Sequence, residues 1–220
     1  MKTKKLIIII LLICSVFLIS FALFFNIPRL SYKYIKETDS YEVNKVYGNL
    51  DEIVIPETHN NKKVTSIGVR AFENSKSKKI TINGNNLEII KRRAFYNSKI
   101  EEIKLPSSIN IIEENAFSYS MNLEKVIIPS DSNLEAISGS VFFMCKNLKE
   151  ISSIKNVKSI GTFAFYGCEN LKELSVSNTK IYSKAFENCK LKLYITSGTN
   201  LVYDYDYNAE ITLIISLNDN

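Results

Sequence analysis

Cysteine and histidine are the side chains here best suited to chemistry, and this chain of 220 residues has four of the first and one of the second. Cys145, Cys168 and Cys189 each stand three positions after a phenylalanine. The Cys-x-x-Cys spacing that brings two thiolates to one zinc ion is absent, and no histidine lies near them. The single histidine, His59, sits in Glu57-Thr58-His59-Asn60-Asn61. It has no serine or cysteine at a nucleophile's spacing, so a catalytic triad is not supported. Asp204-x-Asp206-x-Asn208 begins like a calcium loop, but Ala209 replaces the required glycine and Ile215 the closing glutamate. The glycines fall in turns, not in a phosphate-cradling loop. The reading is a non-enzyme with no cofactor, no metal and no catalytic residue.

The cysteine spacing belongs to a longer period. Ala71-Phe72, Ala94-Phe95, Ala116-Phe117, Val141-Phe142, Ala164-Phe165 and Ala185-Phe186 recur with phenylalanines 23, 22, 25, 23 and 21 residues apart. Such periods mark a stacked solenoid, in which no single unit can bury its own apolar face. The six phenylalanines are expected to stack along the core. Three positions after them come Ser75, Ser98, Ser120, Cys145, Cys168 and Cys189, small residues suited to a tight turn. Coils stacked about 4.8 Å apart bring such a column within disulfide range. Three cysteines in one column cannot all pair, and buried thiols packing as small hydrophobes are the expectation.

Two further elements complete each unit. Leu50-Asp51-Glu52-Ile53-Val54-Ile55-Pro56 has the shape of Ile100-Glu101-Glu102-Ile103-Lys104-Leu105-Pro106 and of Leu123-Glu124-Lys125-Val126-Ile127-Ile128-Pro129. Apolar residues two apart point to one face of a short strand. A second apolar pair follows, as in Val64-Thr65-Ser66-Ile67-Gly68 and Val157-Lys158-Ser159-Ile160-Gly161. Together with the Ala-Phe turn this grammar resembles the BspA-like class of leucine-rich repeats over roughly residues 50–196. The resemblance implies a mainly β solenoid: a right-handed coil of short parallel strands and turns. Residues 28–49 are expected to form a juxtamembrane stalk, interfacial anchors or an N-terminal cap, and 197–220 a C-terminal cap.

Leu6 to Phe25 carries no charge over 20 residues, about 30 Å as a helix, which matches a bilayer core. One transmembrane helix within residues 1–27 is therefore expected to precede the solenoid. It is longer than the apolar part of most cleaved signals, which favours an uncleaved signal-anchor; if cleaved, the protein is secreted. Cys14 reads as an apolar residue of that helix, because Ile13 stands where a lipid-attachment site needs a small residue. The flanking lysines and arginine leave orientation nearly tied, but long domains translocate largely regardless of charge, so the body is placed outside the membrane. Without residues 1–25 the chain has 25 basic and 23 acidic residues. No electrostatic case for nucleic acid remains.

Residues between the inward strand positions face the outer side of the sheet, where such solenoids bind partners. Before the central apolar position stand Lys79, Glu102, Lys125, Glu150 and Glu173; after it stand Thr81, Lys104, Ile127, Ser152, Ser175 and Tyr194. The first four of the first column alternate in sign, so cross-strand attraction would support the stack. These eleven residues are the candidate protein-binding face, with a merely solvated face as the other reading. The resemblance implies a surface-exposed protein that mediates protein–protein interaction or adhesion at the cell surface. The alternative is a passive spacer of the cell envelope.

Overall fold

The structure, a computed structural model, describes residues 29–48, 51–152, 154–195, 199–201 and 210–215. The apolar run Leu6–Phe25, Cys14 and the stretch Asp204–Asn208 lie outside the described residues. Among the described residues no helix is long and apolar enough to cross a membrane.

Three ladders run along the molecule, and the coil is wound between them. The first consists of the Leu-x-x-Ile strands: Glu52–Ile55, Lys79–Ile82, Glu102–Lys104, Lys125–Ile127 and Glu150–Ile151 pair in parallel as one five-stranded sheet. Glu173–Val176, Lys190–Ile195 and Glu210–Ile215 form a second sheet of three strands on the same plan. The second ladder joins the Ile-Gly segments from Lys62–Ile67 through Ile89–Ile90, Ile111–Ile112, Ala136–Ile137, Ser159–Ile160 and Lys180–Ile181 to Asn200–Leu201. Both ladders therefore continue past residue 196. The Ala-Phe turn is missing there, but parallel pairing needs only alternating strand residues such as Ile211, Leu213 and Ile215.

The third ladder is the Ala-Phe turn itself, and its hydrogen bonds divide by alternation. In the first turn the N–H groups of Ala71, Glu73 and Ser75 close back on the carbonyls of Gly68, Arg70 and Phe72. The intervening N–H groups of Arg70, Phe72 and Asn74 donate to Arg92, Ala94 and Tyr96 of the next coil. The second and third turns repeat the scheme. Each turn thus satisfies its own backbone and welds itself to its neighbour. The alternation requires a left-handed residue two before and two after each core phenylalanine, from Arg70 and Asn74 to Lys184 and Asn188. Of these twelve positions four are asparagine and one is Gly167, residues that accept the conformation most readily; the other seven hold it at some cost.

The core is one continuous cluster. Phe72, Phe95, Phe117, Phe142, Phe165 and Phe186 are fully or almost fully buried. They stack in one row with centroids 4.8, 4.9, 5.5, 5.3 and 5.4 Å apart. Two glycines of the Ile-Gly segments are set by close approach. A Cβ on Gly161 would lie 2.6 Å from the Gly139 nitrogen, and one on Gly68 2.8 Å from Glu42 Oε1.

Residues 29–48 form an antiparallel hairpin, Arg29–Ile35 against Ser40–Tyr47, turned by the 3-10 segment Lys36–Thr38 and a left-handed Asp39. Its second strand pairs in parallel with Lys62–Ile67 and so closes the N-terminal end of the second ladder. Buried Glu42 locks it there, accepting from Ser66 Oγ at 3.1 Å and pairing with Lys91 Nζ at 2.5 Å. His59 contributes as a packing residue: its ring stacks on Tyr32 at 3.8 Å and meets Tyr41 edge-on at 4.8 Å.

Two stability measurements probe these contacts. Ser77 takes the place that Leu123, Leu148 and Leu171 hold in other coils; it is buried, and its hydroxyl has no partner. Ser77→Ala is expected to raise stability by about 1 kcal/mol in denaturant melts, since it removes an unpaired buried polar group. Glu42→Ala leaves Lys91 without its partner and weakens the docking of the hairpin, with a loss on the order of 3 kcal/mol in the same melts.

Candidate functional site

The outer face of the first ladder is built by register. Parallel pairing sets Glu52 beside Lys79, Lys79 beside Glu102, Glu102 beside Lys125 and Lys125 beside Glu150. The signs alternate across all five strands. Lys79 Nζ lies 2.8 Å from Glu52 Oε1, and Lys125 Nζ lies 2.9 Å from Glu150 Oε2. The hydrogen bond with Glu52 raises the Lys79 ammonium's pKa, and that with Glu150 does the same for Lys125. The Lys79 hydrogen bond in turn holds the Glu52 carboxyl below the ordinary carboxylate range. The lowered carboxylate stabilises the ladder above that range, and the contribution fades as pH falls through the lowered value. All these groups are solvent-exposed, so salt screens the pairs.

Lys79, Thr81, Glu102, Lys104 and Lys125 line one groove of about 630 Å³, while Ile80 and Ile82 between them pack towards the core. Ile127 lies two residues along the same strand as Lys125, opposite Lys104. Ser152 serves the backbone instead: its hydroxyl accepts from the Ile128 N–H at 2.7 Å and donates to the Ile128 carbonyl at 3.0 Å. It substitutes for a main-chain ladder bond. Glu173, Ser175 and Tyr194 belong to the separate three-stranded sheet, so the eleven residues divide into two groups. The division falls between Glu150 and Glu173, where the column first sets like charges in succession. A smaller cavity of about 320 Å³ opens there, lined by Ile151, Ser152, Lys155, Glu173, Ser175 and Tyr194 among others.

This repeating geometry agrees with the sequence comparisons. A profile of the BspA type leucine rich repeat region matches six copies over residues 65–192, more than half of the chain. The chain belongs to that family. Among solved structures, a leucine rich repeat protein from T. pallidum is 18% identical with a TM-score of 0.54, covering 84% of this chain and 80% of that one. It shows the same fold. The pneumococcal vaccine antigen PcpA is 17% identical, with coverages of 76% and 80% and a TM-score of 0.38. A leucine rich cell surface protein from Faecalibacterium prausnitzii A2-165 is 14% identical, with coverages of 85% and 93% and a TM-score of 0.35. No curated protein matches the sequence. The BspA-type repeat family is not known for catalysis, and membership supports a protein-interaction or structural role.

The cysteine column proves to be a backbone cap. Cys145 Sγ donates to the Phe117 carbonyl at 3.1 Å, Cys168 Sγ to Phe142 at 3.2 Å and Cys189 Sγ to Phe165 at 2.9 Å. Ser120 Oγ makes the same bond to Phe95 at 2.6 Å. Ser120 and the three cysteines share this role, each supplying one short donor to the phenylalanine carbonyl of the preceding coil, while Ser98 Oγ pairs with Ser120 Oγ at 3.0 Å. Burial pushes the Cys145 and Cys168 thiols well above their usual pKa. Thiolate, the reactive form, is suppressed. A thiol reagent is expected to leave all three unlabelled in the folded chain and to label them on denaturation. Labelling in native buffer would show that the turns open.

Strand register alone does not reveal a second set of surface residues. Tyr96, Tyr119, Phe143, Phe163 and Tyr166 are half-buried on the outside of the Ala-Phe turns. The available signal was an aromatic one or two positions after the core phenylalanine in four successive coils.

Proposed function

We propose that this chain is a membrane-tethered, extracytoplasmic repeat protein that binds a partner protein along the outer face of its five-stranded sheet. The groove over Lys79, Thr81, Glu102, Lys104 and Lys125 carries the proposal. It presents charges of both signs held at fixed spacing by the strand register, an arrangement that gives a protein interface its register and specificity. The apolar run Leu6–Phe25 supports the tether, which would raise the effective concentration of the binding face at the cell surface. The second reading is a passive spacer, favoured by the self-neutralising charge ladder, which leaves little unspent potential on this face.

Two experiments separate these readings. A solid-phase panel of extracellular proteins is probed with the full chain and with the exchanged pair Lys125→Glu, Glu150→Lys. The exchange preserves that ion pair and sets a second carboxylate beside Glu102. These groups are exposed and screened, so the fold should hold, as a thermal melt checks, while the pattern presented to a partner is inverted. A loss of affinity of about tenfold or more is expected, a typical cost for disturbing central interface charges. Unchanged affinity sinks the sheet-face proposal, and absence of any binding favours the spacer. Protease shaving of intact cells, with mass measurement of the mature N-terminus, is expected to release the repeat domain and to find residues 1–25 retained. Protection from the protease would rule out the extracytoplasmic placement.

A further inference from the structure

The outer surface of the Ala-Phe turns carries a row of aromatic rings that the fold does not require. Tyr96 meets Tyr119 at 5.4 Å, Tyr119 meets Phe143 at 5.4 Å, and Phe143 stacks on Tyr166 at 4.7 Å. Phe163 packs against Tyr166 at 5.8 Å. The core phenylalanines form their own row, and these rings lie outside it. The equivalent positions of the first and last turns hold Glu73, Asn74, Glu187 and Asn188. The turn therefore folds equally well with polar residues there, and four coils of aromatic surface are left for another purpose.

Each end of the row carries a cation. The Arg93 guanidinium sits 5.2 Å from the Tyr96 ring centre, and the Lys184 ammonium 5.7 Å from that of Phe163. From three residues before to four after each core phenylalanine, the six turns hold eight basic and four acidic residues. The sheet face alternates in sign instead. The surplus favours an acidic ligand and opposes a second copy of this chain, which would bring the same charge. Backbone chemistry narrows the ligand further. The N–H groups of these turns are spent on closing the turn and joining the next coil, so an added β-strand finds no ladder to extend. Recognition has to run through side chains, as when aromatic rows take up polyproline II segments, which have no hydrogen-bonding need of their own. One turn of that helix rises about 9.3 Å, close to the roughly 9.6 Å of two stacked coils.

A cavity of about 420 Å³ lies beside the row, lined by Met144, Tyr166, Gly167, Glu169, Asn188 and Lys190 among others. At Gly167, with φ +69°, the Met144 side chain fills the space, its Sδ 2.6 Å from where a Cβ would stand. We propose that the aromatic row of the turn face, Tyr96–Tyr119–Phe143–Tyr166, binds an acidic proline-rich segment of a partner protein in the polyproline II conformation. This surface is distinct from the sheet face and stands or falls independently of it.

The test uses the full chain and a fluorescently labelled peptide of repeated Pro-Pro-Glu. Binding is expected, weakened by salt, and at least about tenfold tighter than to repeated Ala-Ala-Glu or Pro-Pro-Lys. Tyr119→Asn and Phe143→Ser each install a residue that the same column already carries in another coil, so their thermal melts should stay near wild type. Each should weaken binding about tenfold, the loss typical of a central aromatic anchor, while Tyr119→Phe should retain it. Equal affinity for the Ala-Ala-Glu peptide, wild-type binding by the folded variants, or no binding of the Pro-Pro-Glu peptide overturns the proposal. Binding only of anionic phospholipid vesicles or of an acidic polysaccharide, run in parallel, overturns it as well.

Discussion

The structure depends on main-chain hydrogen bonding between coils at one fixed spacing, about the 4.8 Å of any parallel ladder. Once that spacing is imposed on three sides, every side chain has its counterpart in the next coil as its nearest long-range neighbour. A column must then be compatible with itself. Phenylalanine stacks on phenylalanine, serine or cysteine caps the carbonyl of the preceding coil, and charge has to alternate with charge. The inter-coil half of the Ala-Phe turn's hydrogen bonds matters most, because it joins the coils where no regular strand exists. Seven non-glycine, non-asparagine residues held in the left-handed region are the strain accepted for that weld.

This self-compatibility explains how much of the fold was legible in the sequence. The residues that recur are those that touch their own copies, so Phe72 to Phe186 disclosed both the period and the core row. The alternation of Lys79, Glu102, Lys125 and Glu150 likewise disclosed a real cross-strand ladder, which Glu52 extends by one strand. The N-terminal hairpin was open among three readings because it occurs once and has no column to belong to. Its lock, Glu42 with Ser66 and Lys91, joins residues 24 and 49 positions apart that share no pattern. Ser152 was read as a surface residue by its place in the register. Its hydroxyl bonds to Ile128, and only coordinates reveal a side chain standing in for backbone.

The exposed aromatic row illustrates the opposite difficulty. Phe143 follows Phe142 directly, and Tyr166 follows Phe165, so the second ring of each pair was hidden behind the core assignment of the first. Its columns also change character along the chain, from Glu73 and Asn74 through the aromatics to Glu187 and Asn188. Packing columns are uniform because the interior is uniform, whereas a surface column that varies in a block responds to something outside the molecule. The two exposed faces differ in this respect: one is charge-ordered along its first five strands, the other aromatic only over the middle four coils.

The alternating ladder also imposes arithmetic on the molecule. Glutamate and lysine take turns from Glu52 to Glu150, and the order fails at Glu173, where the sheet itself divides in two. Inserting or deleting a single charged coil in the interior of the alternating stretch would bring two like charges together, as at Glu150 and Glu173. Inserting or deleting a pair of coils would not. The interior of the five-stranded sheet is therefore subject to parity: it keeps its alternation when coils are added or removed in pairs, whereas single coils can be added or removed without loss only at its ends.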